Sequence, residues 1–386
     1  MNKERRTEIQ WLRGLAATEV VFCHSDLVTK HFTDFRVTGL DWYYPYSGLG
    51  VEVFFMVSGY VICMRAASHP TGGAFFLSRV RRLFPMYWIF TSLVLLTFAI
   101  NPGWRLNNFE MTPWSLLHSY LILPQTSFPI LGVGWTLEHE MLFYAFVALI
   151  MAFWSMNGPA KFILPWLLAG VGLVGCLYGF PGAGQVDPAV ATSPWITHFL
   201  SPYMLAFGFG WLVRCAEEMR PAAGIWSVSL YVGIGVIGYL VSTGFATQLE
   251  LRIGLAALIF GGFILCRRLF EADTLLNRLG WKFGDASFAI YLSHWFVLSA
   301  LGKVLGVIDP PSEASGLVRV AAIAICIVVG YVIYMLLERP LDRWLRGRGT
   351  PAASKPAGGG GGVLALLRGR LRPTAQTTQG AQSPLR

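Results

Sequence analysis

Apolar residues arrive in blocks of about 17 to 22 positions along most of the chain, separated by short polar or basic connections. A helix rising 1.5 Å per residue needs roughly that length to cross about 30 Å of hydrocarbon. The pattern predicts ten spans, at 11–29, 47–64, 83–100, 134–154, 162–180, 198–213, 225–243, 252–269, 285–305 and 317–337. The block at 198–213 is the weakest, and 113–131 is a candidate to re-enter the membrane. Continuous runs of this length exceed what a tilted barrel strand needs. No internal repeat accompanies them, which weighs against folds built from inverted halves. The expected fold class is therefore all-α, a polytopic membrane protein of about ten transmembrane helices.

Composition agrees with this. Of 386 residues, 54% are hydrophobic and only 13% charged, against roughly 25% charged in a soluble domain. Many of the fourteen Trp lie near block ends, among them Trp11, Trp42, Trp104, Trp114, Trp135 and Trp195, where amphipathic rings anchor at headgroups. The six Cys show no CxxC and no clustered ligand spacing, so they read as small buried hydrophobes; neither a disulfide framework nor a metal site is expected. The charged start runs directly into a segment bearing Arg13, Glu19 and His24, which reads as a retained first helix and not a cleaved signal.

The net charge of +9 answers to membrane orientation and not to nucleic acid. With the N-terminus inside, six Lys and Arg of the 30 fall outside: Lys30, Arg36, Arg105, Arg252, Lys303 and Arg319. Both termini are then cytoplasmic by the positive-inside bias. Residues 1–345 form the transmembrane domain. Residues 346–386, with a Gly run at 358–362, read as a disordered, basic, Pro/Gly-rich cytoplasmic tail, able to touch anionic lipid through Arg368, Arg370 and Arg372.

Ionisable residues inside a span are costly and need a reason. His24 lies near the middle of the first span. Arg13 precedes it by eleven residues, which puts both on nearly one face with roughly 16 Å of rise between them. Such a wall suits an extended anion, its charge near Arg13 and its reactive end near a histidine able to take and return a proton. The alternative is an interhelical hydrogen bond for His24 and a topological anchor for Arg13. Ser58 and Gly59 suit close helix approach, and Glu52 reads as exposed near the outer interface. Arg79 and Arg82, three apart, share a face beside a helix start at Pro85, as a phosphate site or an anchor. Thr136 is a candidate N-cap of the fourth span. Glu140 and Tyr144, four apart, share a face with Glu140 pointing into apolar territory, where it could orient a hydroxyl or act as an acid or base. His139-Glu140 resembles a zinc-protease motif only superficially, because the second His is absent. His294 could reach the cavity of His24 or serve as a structural hydrogen bonder. Glu338-Arg339-Pro340 reads as a helix stop.

Together these residues carry a resemblance. Arg13 with His24, Phe54-Phe55-x-x-Ser58-Gly59, Arg79-x-x-Arg82 with Pro85 and Tyr87, Trp135-Thr136-Leu137-x-x-Glu140-x-x-Phe143-Tyr144, Tyr291-Leu292-x-His294 and Glu338-Arg339-Pro340 resemble the membrane acyltransferase-3 family, in family order over about residues 5 to 345. The resemblance implies a ten-helix bacterial inner-membrane enzyme. It would take an acyl group, usually acetyl, from cytoplasmic acyl-CoA and place it on a hydroxyl of a glycan or lipid-linked sugar. The branch it resembles modifies exopolysaccharide, lipopolysaccharide O-antigen or Nod factor, with polysaccharide-assembly proteins as possible company. No tightly bound cofactor is implied. The functional positions carried over are Arg13, His24, Arg79, Arg82 and Glu140. His24 and Glu140 are then expected as catalytic, the three Arg as holding CoA, and Ser58, Tyr144 and His294 as supporting. His24 would deprotonate the acceptor directly or work through an acyl intermediate, and Glu140 would organise the acceptor at the outer side or complete a polar relay. A polytopic transporter or flippase of polysaccharide precursors, or a structural subunit, would also explain intramembrane charge.

Overall fold

A computed structural model of the chain describes residues 6–29, 47–101, 109, 111–177, 193–219 and 248–347. Every regular element among them is helical. The expected span 225–243, and the tail from 348 on, lie outside the described residues. The chain divides into two compact units, Met1–Arg343 and Trp344–Arg386. In the first unit, α1 (Thr7–His24) is followed by the single turn α2 (Asp26–Thr29), then α3 (Leu49–Ala66), α4 (Gly72–Ile100), α5 (Pro113–Leu121) and α6 (Trp135–Phe153). Next come α7 (Ala160–Leu177), the short α8 (Pro194–Phe199), α9 (Tyr203–Met219), α10 (Gln248–Leu265), α11 (Leu275–Ile308) and α12 (Ser315–Ile333). A π-helical turn, Tyr334–Glu338, leads into α13 (Arg339–Gly347), whose last residues open the second unit.

Among the described residues, seven helical stretches are long and apolar enough to cross a membrane: Leu49–Ala66, Gly72–Ile100, Gly132–Phe153, Ala160–Leu177, Pro194–Met219, Leu275–Ile308 and Ser312–Leu345. The protein is thus an all-α polytopic membrane protein. α1 has the length of a span but carries Glu8, Arg13 and Glu19. The outward faces of α4, α7 and α12 present bare apolar side chains, such as Leu96, Ile100, Trp166, Leu177, Leu317 and Val328. A face of that kind is at ease only against lipid.

α3 is the hub, packing against α1, α9 and α10, while α1 lies also along α11, α7 backs α9, and α12 backs α11. With no hydrophobic drive between helices in lipid, close packing must hold them. At the α3–α9 crossing a Cβ on Gly59 would strike the backbone carbonyl of Phe207, and one on Gly210 that of Met56. The backbones therefore touch, as the sequence reading of Gly59 anticipated.

Buried charge ties the helices at both ends. Near the start of α1, Glu217 of α9 accepts from Arg6 (2.9 Å) and from Arg267 (2.7 Å), with Arg214 at 3.4 Å and the Tyr60 hydroxyl donating at 2.6 Å. At the other end, Glu19 reaches from α1 to accept the backbone N–H groups of Gly48 (3.0 Å) and Gly50 (2.7 Å). A carboxylate on the positive end of α3 satisfies donors that helix geometry leaves free. Gly48, the N-cap, has φ of 100°, a left-handed backbone that favours glycine. Glu52 is fully buried and paired with Arg252 at 2.9 Å, so it is not the exposed interfacial residue the sequence suggested. Segment 113–131 forms α5 and a connection. Gln125 donates to Glu138 (2.8 Å), and Glu138 pairs with His198 of α8 at 2.9 Å, which fastens these short pieces over the start of α6.

Three local expectations change. α4 begins at Gly72, where Thr71 caps it by accepting from the Ala74 N–H, so Pro85 sits mid-helix and not in a first turn. α6 begins at Trp135 after Gly134 with no side-chain cap; the Thr136 hydroxyl is turned to the Val133 carbonyl and to Tyr291. Glu338-Arg339-Pro340 does not stop the last helix, which passes through the π turn into α13. The extra residue of a π turn absorbs the missing Pro340 donor and marks a site where a side chain is re-aimed.

Substituting Gly59 by Leu should force α3 and α9 apart, lowering stability in detergent by about 1–3 kcal/mol or more. Gly73→Ala, where an added Cβ meets nothing within 4 Å, should leave it unchanged. Parallel thermal melts of the purified variants check both.

Candidate functional site

α1 sets the scale of the site. Its Arg13 and His24 are eleven residues apart, so the helix holds them at opposite ends of a seam roughly 16 Å long. At the far end, His24 Nδ1 lies 3.0 Å from His294 Nε2, the two rings 15° from parallel. Trp295 sets its ring edge-on to His24 at 5.1 Å. His294 is fully buried, and its Nδ1 donates to the Tyr291 carbonyl at 2.5 Å. α11 thus brings His294 to His24, a contact that fits both readings the sequence left open, a shared site and a structural hydrogen bond.

Tyr291 continues the seam. Its hydroxyl donates to the Val133 carbonyl (2.6 Å) and meets the Thr136 hydroxyl at 2.7 Å, which ties α11 to the first turn of α6. One turn along α6, Glu140 Oε1 accepts from the Ser58 hydroxyl at 2.8 Å and from the Tyr144 hydroxyl, while Ser58 and Tyr144 lie 3.2 Å apart. Glu140 thus lies in a polar triad with α3, not in apolar territory. Its electrostatic neighbours include Tyr291, Arg79 and Arg13, so it sits between the two ends of the seam. Ser58 bonds a carboxylate instead of serving only as a small packing residue.

At the near end, α4 contributes Arg79 and Arg82 from one half-buried face, with Arg81 turned out. Arg79 donates to the Ser78 hydroxyl (3.1 Å) and rests over the Phe75 ring at 5.9 Å. Arg13 has Arg82, Glu338, Asp285 and Glu140 as its electrostatic neighbours. Glu338, re-aimed by the π turn, is half-buried, and its Oε2 has no hydrogen-bond partner among the described residues. The charges differ here from those elsewhere. Arg6, Arg214, Arg252 and Arg267 each hold a carboxylate within 3.4 Å. No hydrogen bond or ion pair joins Arg13 or Arg82 to a carboxylate among the described residues. Two adjacent guanidiniums held in that way, with both seam and bulk at hand, form a place for a polyanion.

Every candidate from the sequence falls on this seam: His24 and His294 at one end, Ser58, Glu140 and Tyr144 between, Arg13, Arg79 and Arg82 at the other. Sequence reasoning gave no functional role to Tyr291, Thr136, Glu338 or Asp285, reading Thr136 only as a cap and Glu338 only as part of a stop. The spacing of Tyr291 three residues before His294 was the available signal for the first, since i and i+3 share a helix face. For Glu338 the signal was hidden, because Glu-Arg-Pro reads locally as a stop. Among the described residues no three His, Cys, Asp or Glu side chains group as metal ligands.

Comparison with known proteins adds an independent line. The model of an acyltransferase-domain family matches residues 6–335, which takes in all of the seam but Glu338. The exopolysaccharide production protein ExoZ of Rhizobium meliloti is 32% identical over 329 residues, covering 80% of this chain and 93% of that protein. The acyltransferase MdmB of Streptomyces mycarofaciens is 27% identical over 384 residues, covering 91% and 95%. Nodulation protein 10 of Rhizobium leguminosarum bv. viciae is 23% identical over 327 residues, covering 77% and 84%.

Paired and unpaired arginines should part in stability alone. Arg252→Leu strands the buried Glu52 and should lower the melting temperature, whereas Glu52→Leu with Arg252→Leu together should recover most of it, since removing both charges is near neutral. Arg82→Leu breaks no hydrogen-bonded ion pair among the described residues; it removes a like charge beside Arg13 and leaves Glu338 with Arg13 alone, so its melting temperature should fall less than that of Arg252→Leu. Thermal melts of the four proteins in one detergent measure this.

Proposed function

Because this chain belongs to the membrane acyltransferase-3 family and is therefore an acyltransferase, we propose that it moves an acyl group, acetyl in the simplest case, from acyl-CoA to a hydroxyl of a surface polysaccharide or lipid-linked sugar. The observation that carries this reading is the pair Arg13 and Arg82, which no carboxylate hydrogen-bonds among the described residues, at one end of the seam whose other end holds His24. A CoA thioester has that shape, a phosphate-rich head joined to a thin arm with the reactive carbonyl at its tip. Arg13, Arg79 and Arg82 would hold the head by charge-assisted hydrogen bonds. The positive-inside bias supports a cytoplasmic place for that end, at a bacterial inner membrane, on the side where acyl-CoA is found. The exopolysaccharide and nodulation proteins among its relatives support a sugar hydroxyl as acceptor.

In the reaction, His24 takes the proton of the acceptor hydroxyl as its oxygen attacks the thioester carbonyl carbon. The new C–O bond forms, the C–S bond breaks, and the thiolate of CoA receives the proton back from the imidazolium. Ester and free thiol are the products, and nothing is oxidised or reduced. Glu140, fixed by Ser58 and Tyr144, would act in the polar relay between the two ends; its place midway along the seam supports that role over holding an acceptor at the outer rim. The same carboxylate places one negative group beside Arg13 and Arg79.

The test uses membranes with matched amounts of folded protein and acetyl-CoA labelled in its acetyl group. Label should pass to the polysaccharide fraction with the normal protein and fall by about 10²-fold to 10⁴-fold with His24→Ala, the range of a general base. Arg82→Ala should instead raise the KM for acetyl-CoA, by about 10-fold to 100-fold for one charged hydrogen bond. Label unchanged by His24→Ala sinks the assignment of the base. No transfer from acetyl-CoA or longer acyl-CoA by the normal protein would favour transport of the precursor instead.

A further inference from the structure

His294 is fully buried and forms no ion pair among the described residues, yet both its nitrogens are engaged, and their partners differ in kind. On one side stands the Tyr291 carbonyl, 2.5 Å from Nδ1. A carbonyl oxygen can only accept, so Nδ1 must carry the hydrogen. In the neutral ring Nε2 is then a bare lone pair, and it faces His24 Nδ1 at 3.0 Å. For that contact to be a hydrogen bond, His24 must be the donor. The hydrogen of His24 is thereby held on Nδ1, with the Val20 carbonyl one turn back on α1 as a second acceptor beside the ring, and its Nε2 is left unprotonated.

We infer that His294 is a positioning residue that sets the tautomer of His24, with the Tyr291 carbonyl at the head of a carbonyl–imidazole–imidazole chain that leaves His24 Nε2 as the base. The inference rests on the acyl-transfer reading for its catalytic meaning, but the tautomer itself does not depend on that reading. The chain acts as the orienting carboxylate does in hydrolase triads, holding the ring and its tautomer without touching the substrate. A carbonyl and a neutral ring do this without placing a formal negative charge inside the bundle. The chain also shares the positive charge that forms when His24 Nε2 takes a proton, because His24 Nδ1–H stays bonded to a lone pair on His294. The Tyr291 hydroxyl, held by the Val133 carbonyl and Thr136, and the edge of Trp295 against His24 keep the two rings in register.

Two variants separate this role from simple packing. In His294→Gln the amide NH2 can donate to the Tyr291 carbonyl while Oε1 accepts from His24, so the chain survives. In His294→Leu it is lost. Protein labelled with ¹⁵N only in its seven His reports which ring nitrogen carries hydrogen, with the His24 signals assigned by their absence from His24→Ala. The normal protein and His294→Gln should both show His24 protonated at Nδ1 and bare at Nε2, and His294→Leu should lose that preference. In acyl transfer, His294→Leu should lower kcat by about 10-fold to 100-fold, part of what a general base contributes, with the KM for acyl-CoA within about twofold of normal; His294→Gln should recover most of the loss. The inference is overturned if His24 in the normal protein is bare at Nδ1, if His294→Leu keeps its kcat, or if His294→Gln loses as much kcat as His294→Leu. Should no protein, normal or variant, transfer acyl groups, the acyl-CoA reading fails, and the nitrogen spectra alone decide the tautomer.

Discussion

An unpaired charge inside hydrocarbon is the term that the rest of this structure is built around. Even on the mildest scales a charged side chain at the bilayer centre costs about 2.5–3.5 kcal/mol, so each one must be answered by a partner or by function. Most are answered by partners: Glu217 by a ring of arginines and Tyr60, Glu52 by Arg252, Glu19 by the donors that open α3. These pairs do more than cancel cost. Because each joins two helices at a fixed height, they set the register in which α1, α3, α9 and α10 meet. Glycine contacts at Gly59 and Gly210 then let the backbones close up. Against that background Arg13 and Arg82 stand out, because among the described residues no carboxylate is hydrogen-bonded to either.

α1 converts this ledger into a ruler. One rigid helix fixes the distance between the arginine that begins the seam and the histidine that ends it, and α11 runs beside it to supply His294 and Tyr291. The long reach of α11, from Leu275 to Ile308, matters here, since a single helix carries Asp285 near the arginines and His294 at the far end. α6 enters from the opposite side with Thr136 and Glu140. Three helices thus place their polar residues on shared lines, and each line is kept straight by the rise of an α-helix, not by a loop.

What the sequence reveals follows from the same physics. Composition and run length make a polytopic helical membrane protein plain, and helical spacing puts Arg13 with His24, Arg79 with Arg82 and Glu140 with Tyr144 on common faces. Those relations lie within one helix, where the period is fixed. Relations between helices are not periodic in sequence, which is why Glu52 was read as exposed when Arg252, two hundred residues on, buries it. Pro85 and Pro340 misled for a related reason. Local rules assign proline to a helix start or stop, but bundle packing and a π turn carry the chain straight past both. The meeting of His24 and His294 was open on sequence alone, because two lone histidines can as well be satisfied core residues.

The seam also sets a limit on how stable such a bundle can become. Giving Arg13 a hydrogen-bonded carboxylate partner would lower the energy of the fold and close the place proposed for a polyanion. Function-bearing sites tend to keep such unfavourable features, and here the cost is tolerable because it is confined to one end of the bundle, where half-exposed guanidiniums can borrow water. At the histidine end the groups hydrogen-bonded in the chain are themselves neutral, a backbone carbonyl and two imidazoles, so that the base is oriented without an ion bonded to it, while Asp26 and Glu19 act on His24 only through space. A carboxylate at position 294 would orient His24 as well by hydrogen-bond geometry, but it would bring a fixed negative charge into a fully buried site with no cation bonded to it.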